Sequence, residues 1–151
     1  MENQVYFEDV EVGYELGPLE KIPTTRQLVK YAGISCDDAE IHFDKDVAVA
    51  SKLPGVIVHG SLKNAFLGQL MTDFAGGQGW LKELSVQYRG IDVPGVKITA
   101  RGRVTGKRVE GSDHIVECET WLENATGEKT TLGSAIVILP SIAGFGRHAG
   151  T

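Results

Sequence analysis

A long apolar helix, followed only by segments of alternating polarity, limits the folds open to this chain more than any other feature. Apolar side chains recur every four residues between positions 60 and 75, at Leu62, Phe66, Leu70 and Phe74. A stripe this broad at the helical period predicts a helix that is largely buried. In the second half of the chain, apolar side chains alternate at period two through four segments separated by turn signals. The pattern predicts an α+β fold in which an antiparallel sheet wraps around one long central helix.

Shorter signals place the remaining elements. Residues 24–27, Thr-Thr-Arg-Gln, have the pattern of a capping box, and Gly33 is a natural stop for the helix that would begin there. We expect Asp44 to cap a second, short helix that ends at Leu53-Pro54-Gly55. A strand between Tyr14 and Ile22 would add a fifth member to the sheet.

The length and charge of the chain limit its organisation and its partners. A chain of 151 residues suits one domain, which we expect over residues 1–140, with 141–151 as a flexible C-terminal tail. The net charge of −5 is spread along the chain, so nothing indicates a nucleic-acid partner, which would need a basic patch. No apolar run approaches the roughly 18 residues of a membrane-spanning helix. The first 20 residues are acidic and do not resemble a signal peptide. Because Cys36 and Cys118 lie far apart, a reduced, cytoplasmic protein is the simplest expectation.

Two side chains that suit acid–base chemistry lie in the connection between the first two predicted helices. Asp37 and His42 are five residues apart. A carboxylate and an imidazole that share one water molecule can orient it and take its proton, and histidine titrates near neutral pH. The alternative is that Asp37 is a helix cap and His42 a surface or core residue. The pair alone does not decide between the two.

A second candidate feature stands directly ahead of the long helix, at His59 and Gly60. Free N–H groups at the start of a helix favour negative charge, and a glycine there lets a substrate oxygen approach the backbone. The N–H of Gly60 is therefore a candidate donor to an oxyanion. The alternative is that Gly60 only permits a tight corner. For His59 a structural role is the simpler interpretation.

Together the segments YAGISCDDAEIHFD (residues 31–44) and VIVHGS (residues 56–61) resemble the signature of the MaoC-like dehydratases, which include R-specific enoyl-CoA hydratases and hydroxyacyl-ACP dehydratases. The resemblance extends from about Phe7 to Leu139 and implies a hot-dog fold. It departs from the family pattern at four positions, namely Cys36, Ala39, Glu40 and Ser61.

By position, the resemblance makes Asp37 and His42 a catalytic dyad and makes the Gly60 N–H the donor to a thioester carbonyl. It implies reversible hydration of a trans-2-enoyl thioester carried by coenzyme A or by an acyl carrier protein (ACP), without a cofactor or a metal. It also implies a dimer of identical chains or of related hot-dog chains. Further residues placed at the substrate are Gly55, Val58, His59 and Ser61.

Two other functions stay open from the sequence. One is a hot-dog thioesterase, which would share the fold and the ligand but hydrolyse the thioester. The other is a non-catalytic subunit, or one half of a shared site, in a heteromeric dehydratase. The family's dyad spacing argues against the thioesterase, and the departures at Cys36, Ala39 and Glu40 make the subunit a serious alternative.

The remaining candidates for functional residues are weaker. For Cys36 a packing role is favoured over a nucleophile, because a neighbouring carboxylate raises a thiol's pKa. Lys63 and Asn64 interrupt the apolar helix, and a solvated face is the simpler interpretation, with a subunit interface or the acyl channel as the alternative. A metal site is not favoured for the set Asp37, His42, Asp44 and His59, since no tight spacing supports it. The basic residues that could meet coenzyme A phosphates or an acidic carrier protein are Arg89, Lys97, Arg101, Arg103, Lys107 and Arg108.

Overall fold

The structure is a computed structural model that describes residues 4–145, and side chains as far as Ala143. Most of the helical residues lie in the first half of the chain, as the sequence predicted. The four helices are α1 (Thr25–Ser35), α2 (Lys45–Ala50), α3 (Gly60–Ala75) and α4 (Ile142–Phe145), with short 3₁₀ turns at Phe7–Asp9 and Glu40–His42. No helix among residues 4–145 is long and apolar enough to cross a membrane.

Five strands form one antiparallel sheet. They are β1 (Glu15–Lys21), β2 (Trp80–Tyr88), β3 (Ile98–Glu110), β4 (Asp113–Glu123) and β5 (Lys129–Ile138). The order across the sheet is β1-β3-β4-β5-β2, so that β1 and β2 are its two edges. The early strand and the four later ones all occur where the sequence predicted them.

Helix α3 packs against the sheet and supplies much of the core. The predicted stripe is buried, since each of its four side chains, Leu62, Phe66, Leu70 and Phe74, is at most 7% exposed. Leu67 and Met71 beside it are fully buried. The central helix inside an antiparallel sheet confirms the predicted α+β hot-dog arrangement.

Helix α1 begins as predicted and ends later than predicted. The Thr24 hydroxyl accepts a hydrogen bond from the N–H of Gln27 at 3.1 Å. The expected stop at Gly33 is wrong, because the helix continues to Ser35 and ends where Cys36 adopts a left-handed conformation, with φ of 58°. The Ser35 hydroxyl donates to the carbonyl of Tyr31 and accepts from the N–H of Asp37, which ties the helix end to the following loop.

Helix α2 is capped as predicted, whereas the C-terminal region differs from the prediction. Asp44 caps α2 as predicted, since its carboxylate accepts from the N–H groups of Asp46 and Val47. Part of the expected tail packs on the domain: Ser141 is buried, its hydroxyl donates to Glu8, and α4 follows it. The expected start of the tail at residue 141 is therefore too early, because this contact with Glu8 holds the segment. Residues 146–151 lie outside the described residues.

Candidate active site

The loop between α1 and α2 meets the segment that leads into α3. The turn Glu40–His42 brings His42 inward, where its side chain is 9% exposed, while the Asp37 side chain is 42% exposed. His59 immediately precedes Gly60, the first residue of α3. The structure therefore brings together all three predicted catalytic residues and adds the His59 ring to them.

The hydrogen bonds of His42 determine which of its ring nitrogens is basic. Nδ1 lies 2.8 Å from the carbonyl oxygen of Ile57. Because a carbonyl only accepts hydrogen bonds, Nδ1 carries the proton in the neutral ring, and Nε2 keeps its lone pair. Nε2 lies 4.0 Å from Oδ2 of Asp37. One water molecule can bridge a separation of this size and donate a hydrogen bond to each acceptor.

His59 contacts both Asp37 and His42. It is fully buried, and its Nε2 lies 3.2 Å from the backbone carbonyl oxygen of Asp37. Its ring stacks on His42 with centroids 3.8 Å apart, and Tyr31 meets it edge-on at 5.0 Å. Burial, and next the adjacent His42, lower the pKa of His59 below its usual range. His59 is therefore neutral near pH 7, and its Nδ1 is buried with no hydrogen-bond partner among the described residues.

Gly60 places a backbone donor at the start of α3. No side chain caps this helix, and within residues 4–145 no hydrogen bond uses the Gly60 N–H. The ring of Tyr88 covers the position where a side chain would stand, because a Cβ on residue 60 would lie 3.0 Å from two of its ring carbons. Any larger residue at position 60 would therefore need the Tyr88 ring to move by a few tenths of an ångström, a contact that the sequence did not reveal.

The remaining predicted substrate residues have different settings. Gly55 lines a cavity of about 390 Å³ together with Phe43, whose neighbour in the chain is His42. Val58 is 4% exposed and packs in the hydrophobic core, so its side chain has little surface to offer a ligand. Ser61 is exposed in the first turn of α3.

An ion pair that the sequence analysis missed lies one turn further along α3. Lys63 and Asp92 are 2.7 Å apart, with side chains only 3% and 2% exposed. The predicted solvated face at Lys63 is therefore wrong, because the ammonium group has a buried carboxylate partner. Asn64 is half-buried, and its Oδ1 has no partner among the described residues. The lysine within an otherwise apolar helix was the sequence signal for a buried ion pair, but its partner lies 29 residues away in the chain.

The other candidates have different surroundings from those expected. Both cysteines are free; Cys36 is exposed at the end of α1, which excludes the expected packing role. Burial raises the pKa of Cys118 to about 12.

Five of the six basic residues pair with a neighbouring carboxylate, and Arg89 instead contacts Gln87. The pairs are Lys97–Glu20, Arg101–Glu123, Arg103–Glu119, Lys107–Glu11, and Arg108 with Glu110 and Glu117.

Three potential metal ligands meet at the site. One ligand atom each from Asp37, His42 and His59 lies within 4.8 Å of the others. Asp44, the fourth member considered from the sequence, instead caps α2. The contacts to Ile57 and to the Asp37 backbone occupy one nitrogen of each imidazole, which leaves His42 Nε2 and His59 Nδ1 as the nitrogens without a hydrogen bond. Function without a metal stays a prediction.

Comparisons with known proteins show which family and which solved structures the chain is similar to. A model of the MaoC-like domain matches residues 10–125. An (R)-hydratase from A. caviae involved in PHA biosynthesis is 25% identical, with a TM-score of 0.78 over 88% of this chain and 99% of that one. R-hydratase PhaJ1 from Pseudomonas aeruginosa is 20% identical, with a TM-score of 0.82 over 91% and 87% of the two chains. A chain of the ChsH1–ChsH2 complex from Mycobacterium tuberculosis is 20% identical, with a TM-score of 0.75 over 85% and 98%. No curated protein matches the sequence.

The matched range covers most of the chain and includes Asp37, His42 and Gly60. The similar structures share the hot-dog fold. The family and the (R)-hydratase support a hydratase or dehydratase activity, which is of the hydro-lyase kind. Because the model of that family matches residues 10–125, the chain belongs to the MaoC-like domain family.

Proposed function

We propose that the protein adds water reversibly across the double bond of a trans-2-enoyl thioester, in fatty-acid or related acyl metabolism. The substrate would be an acyl-CoA or an acyl-ACP, which fits a cytoplasmic protein. The observation that carries the proposal is the unprotonated Nε2 of His42, which faces the Asp37 carboxylate at 4.0 Å. The name of the similar (R)-hydratase supports the same reaction type.

In this mechanism, His42 and Asp37 each accept a hydrogen bond from one water molecule. The water oxygen bonds to C3 of the substrate while one of its protons passes to Nε2 of His42. The imidazolium that results is stabilised by the Asp37 carboxylate. It then returns the proton to C2, so that one hydroxyl and one hydrogen have been added and the dyad is restored.

The Gly60 N–H would stabilise the charge that develops during this attack. When hydroxide adds to C3, the electron pair of the double bond moves towards the thioester oxygen. A free N–H at the start of a 16-residue helix is suited to receive that charge. The loss of one such donor typically raises the barrier by about 3 kcal/mol.

The test is a hydration assay that follows the enoyl-thioester absorbance with crotonyl-CoA and with longer enoyl-CoAs. We expect wild-type protein to remove the absorbance, and Asp37→Ala and His42→Ala to reduce kcat about 10²- to 10⁴-fold, the usual contribution of general acid–base catalysis. Asp38→Ala is the matched control, because Asp38 is the exposed neighbour of Asp37. We expect dialysis against EDTA to leave the rate unchanged.

Some outcomes would contradict the proposal. A wild-type rate in either dyad variant would remove that residue from the mechanism. A rate that EDTA abolishes and zinc restores would replace the water-bridged dyad with a metal site. Release of free coenzyme A from a saturated acyl thioester would instead indicate the thioesterase.

A second candidate is a subunit that works with a related hot-dog chain. One observation favours it: a similar structure is the ChsH1–ChsH2 complex, which contains two different chains. In that case purified protein would be inactive with every enoyl-CoA, and co-expression with a MaoC-like partner would restore hydration. Because Asp37 and His42 are both present, we expect this chain to be the catalytic member of such a pair.

A further inference from the structure

The buried pair Lys63–Asp92 makes further hydrogen bonds in addition to the contact between the two charges. The Lys63 ammonium also donates to the carbonyl oxygen of Gly90 at 2.9 Å. The Thr130 hydroxyl donates to Oδ2 of Asp92 at 2.6 Å. A buried ion pair contributes little net stability compared with well-packed apolar residues of similar volume. The role of the pair is therefore better inferred from the backbone that it holds in place than from its contribution to stability.

Asp92 contacts both ends of residues 58–63, a segment that includes the first turn of α3. Its backbone carbonyl accepts from the N–H of Val58 at 2.8 Å. Its carboxylate pairs with Lys63 at 2.7 Å. In addition, the N–H of Lys63 donates to the carbonyl of His59 at 3.1 Å. Residues 58–63, termed here the clamped segment, are thus attached at both ends to one residue.

The clamped segment carries two parts of the candidate site. Gly60 lies within it, so the direction of the Gly60 N–H depends on the attachment to Asp92. His59 also lies within it and contacts the Asp37 backbone at 3.2 Å and the His42 ring at 3.8 Å. A displacement of the segment would therefore move the oxyanion donor and the support of the dyad together.

We propose that Lys63 and Asp92 are positioning residues, which hold the Gly60 N–H and the His59 ring in register with Asp37 and His42. This rests on the proposed hydratase reaction. The pair acts through the clamped segment and has no assigned contact with substrate. A misplacement of about 1 Å in such an arrangement can reduce a rate about 100-fold.

The test uses the double variant Lys63→Met/Asp92→Leu, which removes both charges and keeps apolar volume. Either single variant would leave one charge buried without its partner and would strongly destabilise the protein for that reason alone. We expect the double variant to fold, with kcat reduced about 10- to 100-fold and KM changed much less, since groups that act in the transition state are misplaced. The matched control is Lys82→Met/Asp113→Asn, which removes a surface pair of the same residue types, 3.6 Å apart.

Wild-type kcat in the folded double variant would overturn the proposal, as would an equal fall in the Lys82/Asp113 control. If the double variant does not fold, Thr130→Val supplies the test, because it removes only the 2.6 Å hydrogen bond to Asp92. A lower kcat at unchanged KM supports the positioning role, and wild-type kcat in this folded variant contradicts it.

A second readout does not depend on activity. The imidazole ¹⁵N resonances of His42 and His59 should shift in the double variant, while those of His114, which packs on Phe7, should not. Unchanged resonances would overturn the positioning role even where wild-type protein hydrates no thioester. A shift in the double variant, if the wild-type protein is inactive, would leave the positioning role supported and would refute hydration by the chain on its own.

Discussion

At the residue scale, two stacked histidines differ in chemistry because their hydrogen bonds differ. His42 donates from Nδ1 to Ile57 and keeps Nε2 towards Asp37. His59 is fully buried, and its pKa is lowered by burial and by His42. Two positive rings with centroids 3.8 Å apart would repel each other. In the proposed mechanism, a neutral His59 therefore allows His42 to receive the proton of the attacking water.

The lowered pKa of His59 predicts how stability changes with pH. The unfolded chain binds a proton at His59 near pH 6.5, whereas the folded chain binds it only at lower pH. As pH falls below 6.5, the unfolded state therefore takes up this proton first, and the free energy of unfolding decreases. We expect His59→Gln to lack this contribution, so that the stability difference between wild type and variant shrinks from pH 7.5 to pH 5.

Urea unfolding at several pH values measures this difference. His114→Gln is the control, since the His114 ring packs edge-on against Phe7, whereas the His59 ring stacks on His42. A difference between wild type and His59→Gln that stays constant with pH would show that His59 does not titrate on unfolding in this range.

The sequence predicted which residues meet at the site but not how they are held. The resemblance of two short segments to a family signature singled out Asp37, His42 and Gly60, whereas the spacing of Asp37 and His42 alone did not decide their role. The protonated nitrogen of His42 depends on Ile57, which is 15 residues away in the chain. The partner of Lys63 depends on where β2 ends, and no local pattern reports that. Local spacing therefore identifies candidate groups, while tertiary contacts determine their protonation and alignment.

At the element scale, the site depends on a short helix that has little stability of its own. Helix α2 has six residues and follows His42 after a two-residue connection. Isolated helices of this length are unstable in water, so the cap and the packing hold it. Asp44 provides the cap with hydrogen bonds of 2.9 and 3.1 Å.

Removal of this cap has a predicted cost. We expect Asp44→Ala to lower the free energy of unfolding by about 1 kcal/mol, because two N–H groups lose their acceptor. Asp44→Asn should remain close to wild type, since asparagine caps equally well. Equilibrium urea unfolding of the three proteins checks this, and equal stability of the alanine variant would mean that water replaces the cap without loss.

Element types were more predictable than element ends. The period of the apolar residues predicted α3 and the four later strands, because burial on one face imposes that period. The end of α1 was predicted two residues too early, since Gly33 stays helical when the chain reverses only at Cys36. A glycine permits a helix end, whereas the hydrogen bonds of Ser35 and the turn at Cys36 decide it.

At the scale of the whole molecule, one edge of the sheet is open beside the candidate site. Strand β2 pairs only with β5, and its other side has no neighbour among residues 4–145. Trp80 and Tyr88 at its two ends are 52% and 51% exposed. An edge strand with exposed aromatic residues is a template for pairing with another chain. Tyr88 also covers Gly60, so a chain bound along β2 would border the site.

We therefore predict that the protein is a dimer in solution. Sedimentation equilibrium should give the mass of two chains, each of 16.3 kDa. The exposed fractions of Trp80 and Tyr88 should be lower in the dimer. The β2 amides should also be more protected from hydrogen exchange, because the free edge would be paired. A mass of one chain at micromolar concentration would contradict the self-pairing edge and favour a different partner chain.

The two cysteines have a practical consequence. Cys36 is exposed and adjoins Asp37, whereas Cys118 is buried with its pKa raised to about 12. Only a thiolate reacts readily with a maleimide or an iodoacetamide dye. The folded chain therefore offers a single attachment point for a fluorophore, one residue from the proposed dyad, without any engineered substitution. Such a label would make ligand entry visible in real time, including for acyl groups that the protein binds but does not convert.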